Sequence, residues 1–167
     1  FITRKITIGL SKIVLGQKEV LEVGNLKALR DWGHARDYAE MQWLMLQNKV
    51  PTDYVISTGK QYSIKNFIQM CLKDMGIQVL WKGKGLEEVA IIKSFPTNKN
   101  YKIKKGQIII KVNKKYFRPL EVNSLLGDSS KARKELKWKN KYTINQLVSE
   151  MLSHDYQRLK NKVENDY

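Results

Sequence analysis

Cysteine is nearly absent: Cys71 is the one thiol in 167 residues, so the chain can form no internal disulfide and offers no cysteine-based metal site. That usage fits a reducing, cytoplasmic setting. Histidine is almost as scarce. His34 and His154 lie far apart in the sequence, and no carboxylates stand at ligand spacing around them, so no metal centre is expected. No apolar run approaches the roughly 20 residues needed to cross a bilayer, and no secretory signal is visible. A glycine-rich phosphate loop is missing too: Gly83-Lys84-Gly85 lacks the strand-to-helix setting and the remaining glycines of a dinucleotide fingerprint. No serine elbow or nucleophile–base pair is legible.

What the chain has in excess is positive charge. Lys and Arg number 31 against 16 Asp and Glu, a net charge of +15. Such a field attracts anions, whether nucleic acid, phosphorylated metabolites or acidic lipid, and equally describes a lysine-rich surface that serves solubility. The length suits one domain, since domains run to about 100–200 residues.

Along the chain, the opening "FITRKITIGLSKIVLG" reads as a helix already in progress, with Ile2, Ile6, Leu10 and Ile13 on one face and Gly16 as a left-handed C-cap. "EVLEVG" and "LKALRDW" are strand-like runs separated by a Gly24-Asn25 turn. Asp37 is expected to start a helix whose all-round hydrophobicity, "YAEMQWLMLQNKV", implies packing on more than one side, with Pro51 as its stop. "DYVIST" reads as a short buried strand, Ser63 caps a helix with Ile64, Phe67, Ile68, Cys71 and Leu72 on its apolar stripe, and Gly76 precedes the strand "IQVLWKG". Residues 53–81 thus predict strand-helix-strand, which suits a parallel sheet. Cys71 belongs to the core. Residues 82–106 predict a loop or excursion holding one strand, "EVAIIKSF", and "GQIIIKV" is a further strand. Two helices close the chain, one after Asp128 and one opened by the capping box Thr143-Ile-Asn-Gln146, whose core face carries Ile144, Leu147, Val148, Met151 and Leu152. The expected division is residues 1–160 as the ordered unit and 161–167 as a polar, fraying tail.

Chemistry-bearing residues concentrate at element boundaries. "RDWGHARDY", residues 30–38, sets Arg30 at the end of a strand, and "KKYFRPLEV" sets Arg118 beside Pro119 with Glu121 three residues on. A planar guanidinium grips phosphate through two parallel hydrogen bonds, so two rigid arginines could clamp a diphosphate. The alternative is that each pairs with a nearby carboxylate, Arg30 with Asp31 or Asp37 and Arg118 with Glu121.

"FITRKI", "LGQ", "GNLKALRDWGHARDYAEMQWLMLQ", "YVISTGKQYSIKNF", "KKYFRPLEV", "LLGDSSKARKELKWK" and "LVSEML" occur in this order. In order and spacing the set resembles the GDP-mannose 4,6-dehydratases, from Phe1 to about Asp155. The resemblance implies an α/β fold: the C-terminal substrate-binding lobe of an extended Rossmann-type, NAD(P)-binding enzyme of the short-chain dehydrogenase/reductase group. The N-terminal Rossmann core, with its glycine fingerprint, catalytic Thr/Ser and Glu and Tyr-x-x-x-Lys pair, is expected to precede Phe1. No catalytic residue is therefore expected here. NADP, bound mainly by that other half, is the implied cofactor, GDP-mannose the implied substrate, and a homodimer or tetramer the implied assembly.

Carried over position by position, the resemblance implies that Arg30 and Arg118 hold the pyrophosphate, Glu121 accepts the ribose hydroxyls, Lys5 and the neighbouring Arg4 lie near the phosphates and sugar, and Gly24 and Asn25 line the guanine side. Asp31, Gly33, His34, Asp37 and Pro119 would support these groups, with His34 a turn residue rather than an acid or base. The chain departs from the family pattern at Asn113, where Asp is frequent, and at Asn140, where Pro is common, and residues 85–106 match poorly. Another nucleotide-sugar epimerase, dehydratase or reductase of the same group would share the arginines. A basic nucleic-acid-binding module rests on charge alone; neither nucleic acid nor membrane is an expected partner.

Overall fold

A computed structural model describes residues 1–117 and 122–165. Helix α1 (Ile2–Val14) turns Ile6, Leu10, Ile13 and Val14 inward. It ends as its glycine requires: Gly16 takes φ +75°, and the Gln17 amide donates back to Lys12 O at 2.9 Å. Strand β1 (Leu21–Val23) follows, then β2 (Leu29–Arg30). Helix α2 (Ala35–Leu46) leads to β3 (Tyr62–Ser63) and α3 (Ile64–Asp74). Strands β4 (Gln78–Lys82), β5 (Val89–Ser94) and β6 (Ile108–Val112) form a meander, β7 (Ser124–Leu125) and the short α4 (Ser130–Glu135) come next, and α5 (Ile144–Asn165) closes the chain. Helical geometry therefore continues through most of the stretch read as a tail.

The strands form two sheets. One has the order β1-β6-β5-β4 and is antiparallel except where β1 pairs parallel with β6, Leu21 opposite Ile110 and Val23 opposite Val112. The other is small, β3-β2-β7, with β2 antiparallel to β3 and parallel to β7. Side chains of α1, α3, α5 and the larger sheet share one core, in which Ile6, Phe67, Ile68 and Ile110 have no exposed surface. Each such side chain stabilises the fold by about 1.5–3 kcal/mol relative to exposure. Polar anchors fix the helices as well: Thr7 of α1 donates to Asp155 of α5 at 2.6 Å, a buried contact, and Arg4 pairs with the same carboxylate at 2.9 Å.

The runs on either side of Gly24-Asn25 form β1 and β2, which belong to different sheets. Three expectations are corrected. The unit 53–81 makes no parallel pair, because no strand is assigned within 53–58 and the strands flanking α3 lie in separate sheets. Helix α2 begins at Ala35, not Asp37, because the His34 imidazole is its N-cap: Nδ1 accepts the Arg36 amide at 3.2 Å. Nor is α2 packed on more than one side. Met41 is buried with Ala132 and Trp138, whereas Trp43 and Leu46 are 59% and 81% exposed.

Helix α3 follows expectation closely. Ser63 Oγ accepts the Asn66 amide and the Asn66 side chain returns a bond to the Ser63 amide, a reciprocal capping box. Cys71 is fully buried, and burial pushes its thiol pKa up, so it is an inert packing residue.

Candidate functional site

The exit of β6 is tied to the end of β1. Asn113 donates its amide N–H to Val23 O at 2.9 Å and its Nδ2 to Glu22 Oε1 at 2.8 Å, while its Oδ1 accepts the Lys115 amide at 2.9 Å. That last bond caps a 3₁₀ turn at Lys114–Tyr116. An Asp at this position could not donate to Glu22, so the asparagine suits its carboxylate neighbour. The turn lays Tyr116 against Gly24, where an added Cβ would fall 2.1 Å from Tyr116 O. Gly24 is therefore required by close approach of backbone to backbone, and its companion Asn25 closes a turn by accepting the Lys27 amide at 2.9 Å.

Lys5, from the first turns of α1, completes this corner. Its Nζ lies 3.4 Å from the centroid of the Tyr116 ring, a cation–π contact. Burial and the nearby Lys18 hold the Lys5 pKa below the ordinary lysine value, and Glu22 opposes them. A partly desolvated ammonium fixed on an aromatic face is a suitable partner for an anion.

Arg30 stands at the end of β2. Its Nη1 donates to Leu29 O at 2.8 Å and to Val122 O at 2.7 Å, and the Leu29 amide donates to Asn123 O at 2.8 Å. An open cleft of about 350 Å³ beside it is lined also by Asp31, Trp32, Tyr38 and Leu125. The carboxylates nearest Arg30 in sequence, Asp31 and Asp37, accept backbone amides. Asp31 accepts the Thr58 amide at 3.0 Å, the Thr58 hydroxyl and the Gly59 amide. Asp37, wholly buried, accepts the amides of Lys141 and Tyr142 at 3.1 and 3.2 Å.

Arg118, Pro119 and Glu121 lie outside the described residues. Of the described residues near that stretch in sequence, Tyr116 lies against Lys5 and Gly24, and Val122 accepts a hydrogen bond from Arg30. Arg4 is turned to α5, where it pairs with Asp155. Gly33 packs under Tyr38, since a Cβ would meet that phenol at 2.2 Å. Besides capping α2, His34 is 5% exposed, stacks on Tyr142 with centroids 4.1 Å apart, and places Nε2 3.2 Å from Glu150 Oε2. Because Nδ1 is the acceptor, the neutral ring carries its proton on Nε2 and donates it to Glu150.

Tyr116 is the site residue that reading from the sequence missed, although it lies within the quoted "KKYFRPLEV". The spacing Tyr101-x-x-x-Lys105 also occurs, but in an irregular turn rather than a helix, with the Tyr101 hydroxyl donating to Met75 O at 3.4 Å; it is not a catalytic pair. Among the described residues no cluster of His, Cys, Asp or Glu could hold a metal, and no helix is long and apolar enough to cross a membrane.

Comparison with known proteins agrees over nearly the whole chain. A family model described as GDP-mannose 4,6 dehydratase matches residues 1–151. The GDP-mannose 4,6-dehydratase of Vibrio cholerae serotype O1 is 51% identical over 158 residues, which is 95% of this chain and 42% of that protein. The human GDP-mannose 4,6 dehydratase is 41% identical over 160 residues, 96% of this chain and 40% of its own length. The chain thus spans about two-fifths of the length of these relatives. In fold it is similar to RMD from Pseudomonas aeruginosa complexed with NADPH, with TM-score 0.69 and 16% identity over 95% of this chain and 43% of the other. It is likewise similar to dTDP-glucose 4,6-dehydratase from Bacillus anthracis in complex with NAD, with TM-score 0.62 and 16% identity over 94% and 39% of the two chains. By sequence, the chain belongs to the GDP-mannose 4,6-dehydratase family.

Proposed function

We propose that these residues are the sugar-nucleotide-binding part of an NADP-dependent GDP-mannose 4,6-dehydratase, which converts GDP-D-mannose to GDP-4-keto-6-deoxy-D-mannose. The observation that carries the reading is the pair of fixed cations, Lys5 on the Tyr116 ring and Arg30 bonded to Val122 O, each held by a residue close in sequence to Arg118 and Glu121. In this reading Arg30 and Arg118 grip the pyrophosphate, Glu121 accepts the ribose hydroxyls, and Lys5 neutralises phosphate charge. Binding energy from the GDP handle, remote from the reacting carbons, then positions the sugar.

Bond-breaking belongs to residues outside this chain, as does most of the NADP site; that cofactor supplies the hydride acceptor. The dinucleotides named for the structural neighbours support a nicotinamide cofactor. Trp43, Leu46, Val50 and Val55, between 53% and 81% exposed, are apolar side chains of the kind that the cofactor-binding half would cover. The near absence of cysteine is consistent with a reducing, cytoplasmic setting, and the homo-oligomer is proposed on the family resemblance alone.

The test is an assay of the full-length protein with GDP-mannose and NADP, following the 4-keto-6-deoxy product. Turnover of a different nucleotide sugar, with none of GDP-mannose, would sink the proposal. Residues 1–167 alone should be inactive.

A further inference from the structure

We propose a second anion site, for inorganic phosphate or the phosphoryl group of a small metabolite, in the cleft at the entrance to α5. It uses none of the residues assigned above to GDP. The cleft, about 530 Å³, opens between residues 32–34, the Thr58–Lys60 turn and residues 139–145. Lys60, Arg133 and Lys139 line it, and none of its lining residues is acidic. Elsewhere Lys65 pairs with Glu88 and Lys141 with Glu40. Lys60 and Lys139 form no ion pair among the described residues. Three cations around one concavity repel one another and raise the local concentration of anions.

The walls are held in place before any ligand arrives. Arg133 donates Nε to Ser129 Oγ at 3.1 Å and Nη2 to Thr58 O at 2.8 Å and Asn140 Oδ1 at 3.3 Å. Asp31 fastens the Thr58–Gly59 turn from behind, which sets the origin of the Lys60 side chain. Asn140, one of the departures from the family pattern, supplies the specific clue. Its carbonyl oxygen is committed to Arg133, so the direction of its amide nitrogen is fixed, and that Nδ2 is buried with no hydrogen-bond partner among the described residues. Buried donors are nearly always paired. At neutral pH inorganic phosphate keeps at least two unprotonated oxygens and a negative charge, so it can accept from the stranded donor and answer the unpaired cations, whereas a neutral ligand answers only the first.

The experiment is calorimetric titration of the full-length protein with inorganic phosphate in a chloride buffer. We expect saturable binding that weakens by about tenfold or more in Lys60→Gln/Lys139→Gln, the scale on which charge-assisted hydrogen bonds act. Lys60→Arg/Lys139→Arg should restore it, because the charge and not the ammonium itself is required. Asn140→Leu should weaken it as well, and saturating the GDP site with GDP beforehand should leave it unchanged. Absence of saturable binding to the wild type would overturn the site, as would equal affinity in the double glutamine variant.

Discussion

Gly24→Ala places one methyl group where the geometry leaves no room. The added Cβ would lie 2.1 Å from Tyr116 O and 2.8 Å from Tyr116 C, while ordinary carbon–oxygen contacts begin near 3.3 Å. The obstruction is backbone rather than the end of a flexible side chain, so one of the two strands of chain must retreat by on the order of 1 Å. Overpacking of this kind costs about 1–3 kcal/mol. For a chain of about 150–250 residues that is a fall in melting temperature of roughly 2–12 °C, and the longer full-length protein should show a smaller one. The displaced segment also carries the ring under Lys5, whose contact is worth about 0.5–2 kcal/mol. The assay is a thermal melt of the full-length protein with and without GDP. The variant should melt lower and should gain less from GDP than the wild type does. A Gly24→Ala protein with wild-type melting temperature and an undiminished GDP shift would refute the packing of Tyr116 on β1, and with it the position given to Lys5.

Other consequences follow from named contacts. Asp37→Asn leaves one of the buried amides of Lys141 and Tyr142 facing an NH₂ group, so it should destabilise by about 1.5–3 kcal/mol; a denaturant midpoint equal to the wild type would count against that bonding. Residues 1–167 expressed alone should self-associate through exposed Trp43 and Leu46. Light scattering should show less association in Trp43→Ser/Leu46→Lys, and no change would mean that another surface is responsible. Arg118→Ala in the full-length protein should weaken GDP-mannose binding by about 1.5–3 kcal/mol, and an unchanged affinity would remove Arg118 from the site.

Helices α1, α3 and α5 were legible because each has a sustained apolar period and a recognisable end: Gly16 after α1, Ser63 before α3, Thr143 before α5. In each the core residues repeat over three or more turns, and tertiary packing only strengthens the pattern. Strands β4, β5 and β6 were legible for the same reason. The small sheet was not. Strands β2, β3 and β7 are two residues long, too short to carry a period, and their partners are set by hydrogen bonds to distant segments. "DYVIST" has the composition of a buried strand, yet among the described residues no strand is assigned there. Local propensity records what a segment can do, and the partner decides whether it does it. The start of α2 was misplaced because an imidazole is outside the usual set of capping side chains. Of the candidate site, Arg30 and Arg118 stood out as charged groups at element boundaries, while Lys5 came only from the family resemblance. Tyr116 and the Lys60–Arg133–Lys139 cleft did not, since both depend on residues brought together from distant parts of the chain.

The central claim is that Arg30 holds a diphosphate, and comparing GDP with guanosine on the full-length protein tests it directly. Arg30→Gln should weaken GDP binding by about 1.5–3 kcal/mol, roughly ten- to a hundredfold, and leave the affinity for guanosine unchanged. Equal GDP affinity in wild type and variant, or an equal loss for guanosine, would contradict it.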